Sequence, residues 1–191
     1  MSVLLIAGSP SEHSRSAALL DAVAQRLGLR QALVDRLRIR ELSPQALLLA
    51  DTTHASVRHA LAQIASARAV VVATPVYKAA YSGVLKVFLD LLPQDGLKGK
   101  AVLPLATGGS PQHMLALDYA LRPVLQSLGA RHILAGVFAS EAQLPPDGAG
   151  GFAPTPELAQ RLDEGVALLL QEGLRLAPAH AQPLRPLVLE P

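Results

Sequence analysis

The run Val70-Val71-Val72-Ala73, apolar and largely β-branched, meets Thr74-Pro75 and then continues as Val76-Tyr77-Lys78-Ala79-Ala80-Tyr81-Ser82-Gly83. A strand with no polar alternation has to be buried on both faces, and such strands form the middle of parallel sheets covered by helices. Pro75 disfavours the helical region for Thr74, so the strand is expected to halt there and to pass, still extended, into a loop at its carboxyl end. Ligands of open α/β sheets bind in the crevice outside those ends. The loop carries two tyrosines, a lysine and a Ser-Gly expected to be flexible, and the chemistry is expected beside it.

The rest of the chain supplies a sheet around this strand. Ser2–Ala7 reads as a first strand, followed by Gly8-Ser9-Pro10-Ser11-Glu12-His13-Ser14-Arg15-Ser16 and an apolar-periodic helix from Ala17. Gln31 to Leu37, interrupted by Asp35 and Arg36, reads as an edge strand. Ser43-Pro44 opens a short helix with serine as its cap. Val57, Leu61 and Ile64 at helical spacing place another helix from about Ala55 to Ala67. A helix starts near Gly83, and a strand Ala101 to Ala106 ends in Thr107-Gly108-Gly109-Ser110. A helix Gln112 to Leu128, a strand His132 to Ala139, a Pro/Gly-rich loop from Leu144 and a last helix capped by Thr155 complete the pattern.

Five strands alternating with helices predict an α/β fold: a flavodoxin-like, doubly wound parallel sheet of order 2-1-3-4-5 with helices on both faces. One domain is expected over residues 1–175, with a Pro-rich tail over 176–191 that is extended rather than helical. With half of its 191 residues apolar, the chain can bury a core unaided, and the absence of cysteine excludes disulfide frameworks and thiolate chemistry. The N-terminal apolar run lacks a basic lead and is too short to span a bilayer, which predicts a cytoplasmic protein without a membrane partner. The net charge of +2 is spread through the chain and only 3% of residues are aromatic, so no nucleic-acid partner is expected.

Three loops fall at one sheet edge in the predicted order. In the first, Ser9, Ser14 and Ser16 offer hydroxyls, Arg15 offers a fork of donors, and the following helix offers its N-terminus, which together suit an anion. The loop is neither Walker A nor G-x-G-x-x-G, so one phosphate fits better than a pyrophosphate, although the same residues would also make a plain capping loop. In the second, Pro75-Val76-Tyr77 would lay rigid backbone along a flat ring, and in the third Gly108-Gly109 allows close backbone approach from the other side. A planar heterocycle carrying one phosphate is flavin mononucleotide. Pro123 removes a hydrogen bond and clashes with the carbonyl of Tyr119 in its helix, which predicts a kink or π-bulge. The histidines show no metal-ligand spacing.

These residues resemble the NADPH-dependent FMN reductases of the flavodoxin-like superfamily, most closely those that serve alkanesulfonate monooxygenases. The resemblance runs from Val3 to about Phe138 and is carried by Ala7-Gly8-Ser9-Pro10 with Ser14-Arg15-Ser16, by Ala73 through Gly83, and by Leu105 through Gly109. It implies that Ser9, Ser14, Arg15 and Ser16 hold the FMN phosphate, that Pro75, Val76 and Tyr77 run along the flavin, and that Thr107, Gly108 and Gly109 approach its ring. It further implies NADPH as hydride donor, a homodimer or homotetramer with Lys86 and Asp90 at an interface, and a flavin-dependent monooxygenase as partner. Tyr119 fits the place of an inserted tyrosine in the sulfonate-linked members, where the bulge would lie between subunits and govern flavin retention. The cofactors carry the hydride chemistry, so no catalytic side chain is expected. The alternatives are a quinone or azo reductase with permanently bound FMN, an electron-carrier flavodoxin, against which the positive charge counts, and an interaction module without cofactor.

Overall fold

The computed structural model describes residues 2–175, so the Pro-rich segment 176–191 lies outside the described residues. Parallel strands β1 (Ser2–Ala7), β2 (Leu33–Arg38), β3 (Ala69–Tyr77) and β5 (Ala101–Gly108) are ordered β2-β1-β3-β5. The far side of β5 is shared by β6 (His132–Ile133) and β7 (Val137–Ser140), while β4 (Ala80–Tyr81) folds back antiparallel on β3. Setting that hairpin aside and counting β6 and β7 as halves of one strand recovers the expected order.

Alternate residues of the central strands enter two separate cores, as a parallel sheet covered on both faces requires. Leu4, Ile6, Val70, Val72 and Val102 pack beneath α3 (Ala55–Ser66), α4 (Gly83–Leu89) and α5 (Arg122–Ser127). Val3, Leu5, Val71, Leu103 and Leu105 pack beneath α1 (Arg15–Leu29) and α6 (Pro156–Arg175). Helix α2 (Pro44–Leu48) is short, and Ser43 caps it by accepting from the Ala46 N–H at 3.3 Å. At the amino end of the sheet, nearly buried Lys100 donates to the carbonyls of Ala65 (3.1 Å) and Ala67 (2.7 Å), closing the last turn of α3. Burial, and secondarily the nearby Arg68 charge, holds the Lys100 ammonium below its ordinary value.

Three expectations are corrected. The central strand does not halt at Thr74-Pro75: β3 continues buried to Val76, with Pro75 opposite Thr107 of β5. The restriction that Pro75 imposes on Thr74 favours extended backbone, which prolongs a strand as readily as it ends one. The amide that Pro75 lacks would face β1, whose ladder with β3 ends at Ala7 and Ala73.

The outer strand is broken rather than continuous from His132 to Ala139. Val102 pairs with Ile133 but Leu105 pairs with Val137, so one extra residue is accommodated between β6 and β7. Val102 still accepts from the Leu134 N–H at 2.9 Å, whereas Pro104, two residues on and facing the same side, has no N–H to donate. Arg122 takes up the slack by donating to the carbonyls of Ile133 (3.1 Å) and Leu134 (3.0 Å).

The helix expected over 112–128 is not uniformly α-helical but runs through a 3₁₀ turn Pro111–Met114, a π-helical turn Leu117–Leu121 and α5, so the π-bulge expected beside Pro123 is present. Pro123 cannot donate to the Tyr119 carbonyl, and the Arg122 N–H reaches back five residues to the Leu117 carbonyl instead. Tyr119 sits in this π-turn with 80% of its surface exposed.

Candidate functional site

The first loop is held from beneath. The Gly8 N–H donates to the Ala73 carbonyl at 2.8 Å, and a β-carbon at position 8 would stand 3.0 Å from that oxygen and 3.1 Å from Leu85 Cβ. Only glycine fits there without displacing β3 or α4. The buried Ser82 hydroxyl donates to the Gly8 carbonyl and accepts from the Leu85 N–H at 3.2 Å, capping α4. The Ser82 N–H in turn donates to Oγ1 of buried Thr74 at 3.0 Å, and that hydroxyl donates to the Pro75 carbonyl at 2.9 Å. The Ser82-Gly83 step expected to be flexible is therefore fixed: two buried hydroxyls tie the first loop, the end of β3 and the start of α4 together.

Between β3 and β4 the chain turns in two residues, Lys78 (φ 49°) and Ala79 (φ 64°). Both adopt the left-handed region that a tight hairpin demands, where a non-glycine residue costs on the order of 1 kcal/mol. That cost is spent at the lip of the sheet, where it presents half-exposed Tyr77 to the outside.

Above this platform the three loops enclose one cleft of about 270 Å³, close to the lower end of the ~300–1,000 Å³ common for ligand pockets. Ser14, Arg15 and Ser16 line it from the first loop, Pro75, Val76 and Tyr77 from the second, and Thr107, Gly108 and Gly109 from the third. Nine of the ten residues assigned from the sequence to cofactor binding thus share one opening. Ser9 is turned away: its buried hydroxyl accepts from the Ser11 N–H at 3.1 Å, and it lines a neighbouring cleft on the other side of the loop. Lys86 and Asp90 pair with each other on α4, Nζ lying 2.7 Å from both carboxylate oxygens, and neither they nor Tyr119 reach the cleft. The hydrogen bond that the Lys86 ammonium donates to Asp90 is the main cause holding it above its ordinary value.

At the mouth of α1, Ser14 accepts from the Ala17 N–H at 3.1 Å and lies 3.2 Å from the Ser16 hydroxyl. One hydroxyl proton of that pair and the unpaired N–H groups of the first helical turn remain to donate into the cleft. Gly109 presents a bare edge, since a β-carbon there would meet nothing closer than Glu141 Oε1 at 3.7 Å. Gly108 instead accommodates His113, whose Nδ1 a β-carbon would approach to 2.9 Å. A helix N-terminus with serine hydroxyls beside a backbone-lined slot fits a flat ring that carries one phosphate.

The sequence reading missed the fourth wall. Ser11, His13, Glu141 and Phe152 also line the cleft, and the last two come from the segment after β7, where no motif drew attention. The Arg15 guanidinium lies 4.7 Å above the Phe152 ring, its Nε donates to the Leu144 carbonyl at 3.3 Å, and its Nη1 stands 3.5 Å from Glu141 Oε1. The neighbouring cleft, about 290 Å³, is slightly larger but a poorer anion site. Its Arg36 pairs with Asp21, its Arg38 with Glu41, and its Arg40 with Glu12 and Glu41, so three carboxylates line it where the first cleft has Glu141 alone.

The sequence profile of a family described as NADPH-dependent FMN reductase matches residues 1–144. FMN reductase (NADPH) of Escherichia coli (strain K12) is 44% identical over 171 residues, spanning 90% of this chain and 89% of that protein. FMN reductase (NADPH) of Pseudomonas putida (strain KT2440) is 46% identical over 164 residues, spanning 86% and 82%. The crystal structure of the apo form of an NADH:FMN oxidoreductase (EMOB) superposes with a TM-score of 0.80 at 40% identity, covering 92% of this chain and 90% of that one.

Proposed function

The chain belongs to the NADPH-dependent FMN reductase family, and from that premise we infer that it is an oxidoreductase in which NADPH reduces FMN held in the cleft between the three loops. The observation that carries this reading is the shared cleft itself, in which a helix N-terminus with Ser14, Arg15 and Ser16 faces the backbone of Pro75–Tyr77 and Thr107–Gly109. Ser14, Ser16 and the first amides of α1 would take the phosphate, with Arg15 as charge partner. Val76 and Tyr77 would orient the ring, and the missing side chain of Gly109 leaves it room. When bound, FMN supplies the acceptor for a hydride from the nicotinamide. What the protein would contribute is position, with Pro75–Tyr77 and Gly109 holding the ring where a nicotinamide can approach it, and exclusion of water from that contact. Purified protein that oxidises NADPH only when FMN is added meets the expectation, and protein that fails to do so refutes it.

The finer reading is that the reduced flavin leaves for a flavin-dependent monooxygenase of the alkanesulfonate type, in the cytoplasm, from a homodimer or homotetramer. Among the described residues no helix is long and apolar enough to cross a membrane, which is compatible with that setting. Exposed Tyr119 on the π-turn and the Lys86–Asp90 pair on α4 are the surfaces assigned to subunit contact. Tyr119→Ala is expected to lower the oligomeric state seen by light scattering and to change FMN affinity. An unchanged oligomer with unchanged affinity removes Tyr119 from that role.

A further inference from the structure

We propose that Glu141 is a built-in competitor for the phosphate of FMN, and that it shortens the time the flavin stays in the cleft. The proposal rests on the FMN reading of the cleft and adds to it a residue that sets how long flavin stays.

The charges that line the cleft are few. Apart from His13, its ionisable residues are Arg15, Glu141 and Tyr77, and the one guanidinium is paired to the one carboxylate. The backbone of Glu141 is fixed, while its side chain is free to turn. Glu141 opens a 3₁₀ turn directly after β7, and Gln143 Oε1 accepts from the Ser140 N–H at 3.1 Å to fix that turn. From this position Oε1 reaches towards both Arg15 and the open edge of Gly109, where no β-carbon intervenes. Arg15 is meanwhile kept from swinging away by Phe152 beneath it and by the Leu144 carbonyl on Nε.

A phosphate seated on the first turn of α1 and on Arg15 would come within a few ångströms of that carboxylate. It must therefore displace Glu141 or accept a like charge beside it. The one guanidinium of this cleft is already neutralised, so its full charge is available to the phosphate only once Glu141 gives way. Glu141 is 59% exposed, so solvent can take its charge when phosphate arrives and return it when phosphate leaves. The competition acts mainly on the dissociation rate, because affinity differences among variants of one site fall largely on release. Riboflavin, which carries no phosphate, escapes it.

The test is Glu141→Gln, with Glu141→Ala as second variant, titrated with FMN and with riboflavin by flavin fluorescence quenching and followed by stopped-flow release. Removing one exposed charge partner is expected to tighten FMN binding about three- to tenfold and to slow its release by a similar factor. Riboflavin affinity should stay within twofold of wild type, and the FMN gain should shrink as salt is raised. If FMN binds the variants equally or more weakly, Glu141 supports Arg15 rather than competing for it, and the proposal is overturned. It is equally overturned if riboflavin tightens in step with FMN, since the effect would then lie in loop packing. Wild-type protein that binds neither flavin would sink the reductase reading itself, an outcome distinct from either.

Discussion

The two long walls of the cleft are built on opposite plans. The wall from β3 to α4 is buried and neutral: Thr74 and Ser82 are almost wholly out of solvent, and their hydroxyls bind backbone atoms of Gly8, Pro75 and Leu85. The wall from β7 to α6 is exposed and charged, and its link across the cleft is the contact of Arg15 with Glu141, Leu144 and Phe152. Buried hydrogen bonds to backbone are costly to break because the partner left behind has no water to turn to, whereas an exposed ion pair is replaced by water at little cost. One wall therefore sets where a ring can lie, and the other is free to respond to what has bound.

Substitutions that break this contrast should do so unequally. Ser82→Ala removes the α4 cap and leaves the Gly8 carbonyl without its donor, so urea unfolding should show a loss of about 1–3 kcal/mol. A loss below about 0.5 kcal/mol would mean that this wall is no firmer than the other.

Lys100, at the opposite end of the sheet, calibrates the comparison because it is buried but charged. Lys100→Met should cost about 1–2 kcal/mol by opening the end of α3. Burial lowers the folded-state value of Lys100 below 10.5, so as pH rises through that lowered value the native form sheds its proton before the unfolded chain does. Wild-type stability should then gain a rising contribution with pH up to about 10.5, and unfolding curves of Lys100→Met at matched pH should lack it.

Arg15→Ala should have the smallest effect on folding, under about 1 kcal/mol, since its ion pair is partly exposed. FMN affinity should nevertheless fall about tenfold or more, because a charge-assisted contact to phosphate is lost. If thermal melts shift as much for Arg15→Ala as for Ser82→Ala, the distinction between a fixed and a responsive wall fails.

Much of this was legible in the residues. The unbroken apolar runs of β3 and β5 placed them inside the sheet and the interrupted β2 at its edge, since burial on two faces can be satisfied only at the centre, and the order itself followed from the fold type. Pro123 announced a local rearrangement of its helix because a missing N–H has a fixed address in an i to i−4 ladder. Pro75 and Pro104 were harder to read. A proline tolerated in a strand and one that breaks it differ only in which neighbour stands on the amide side, and that is a property of the assembled sheet.

The chain alone determined a doubly wound sheet and the three loops at its carboxyl edge, because both follow from local patterns of period and punctuation. Only the tertiary structure decided that Ser9 faces away, that Ser82 is a buried tie, and that Glu141 and Phe152 close on Arg15. Ser82 lies 74 positions from its partner Gly8, and Glu141 and Phe152 lie 126 and 137 positions from Arg15. Nothing in the sequence between them encodes the distance in space. Side-chain partners so far apart are chosen by the packing of α6 against α1 and the path of the chain back over the sheet, not by any property of the residues themselves.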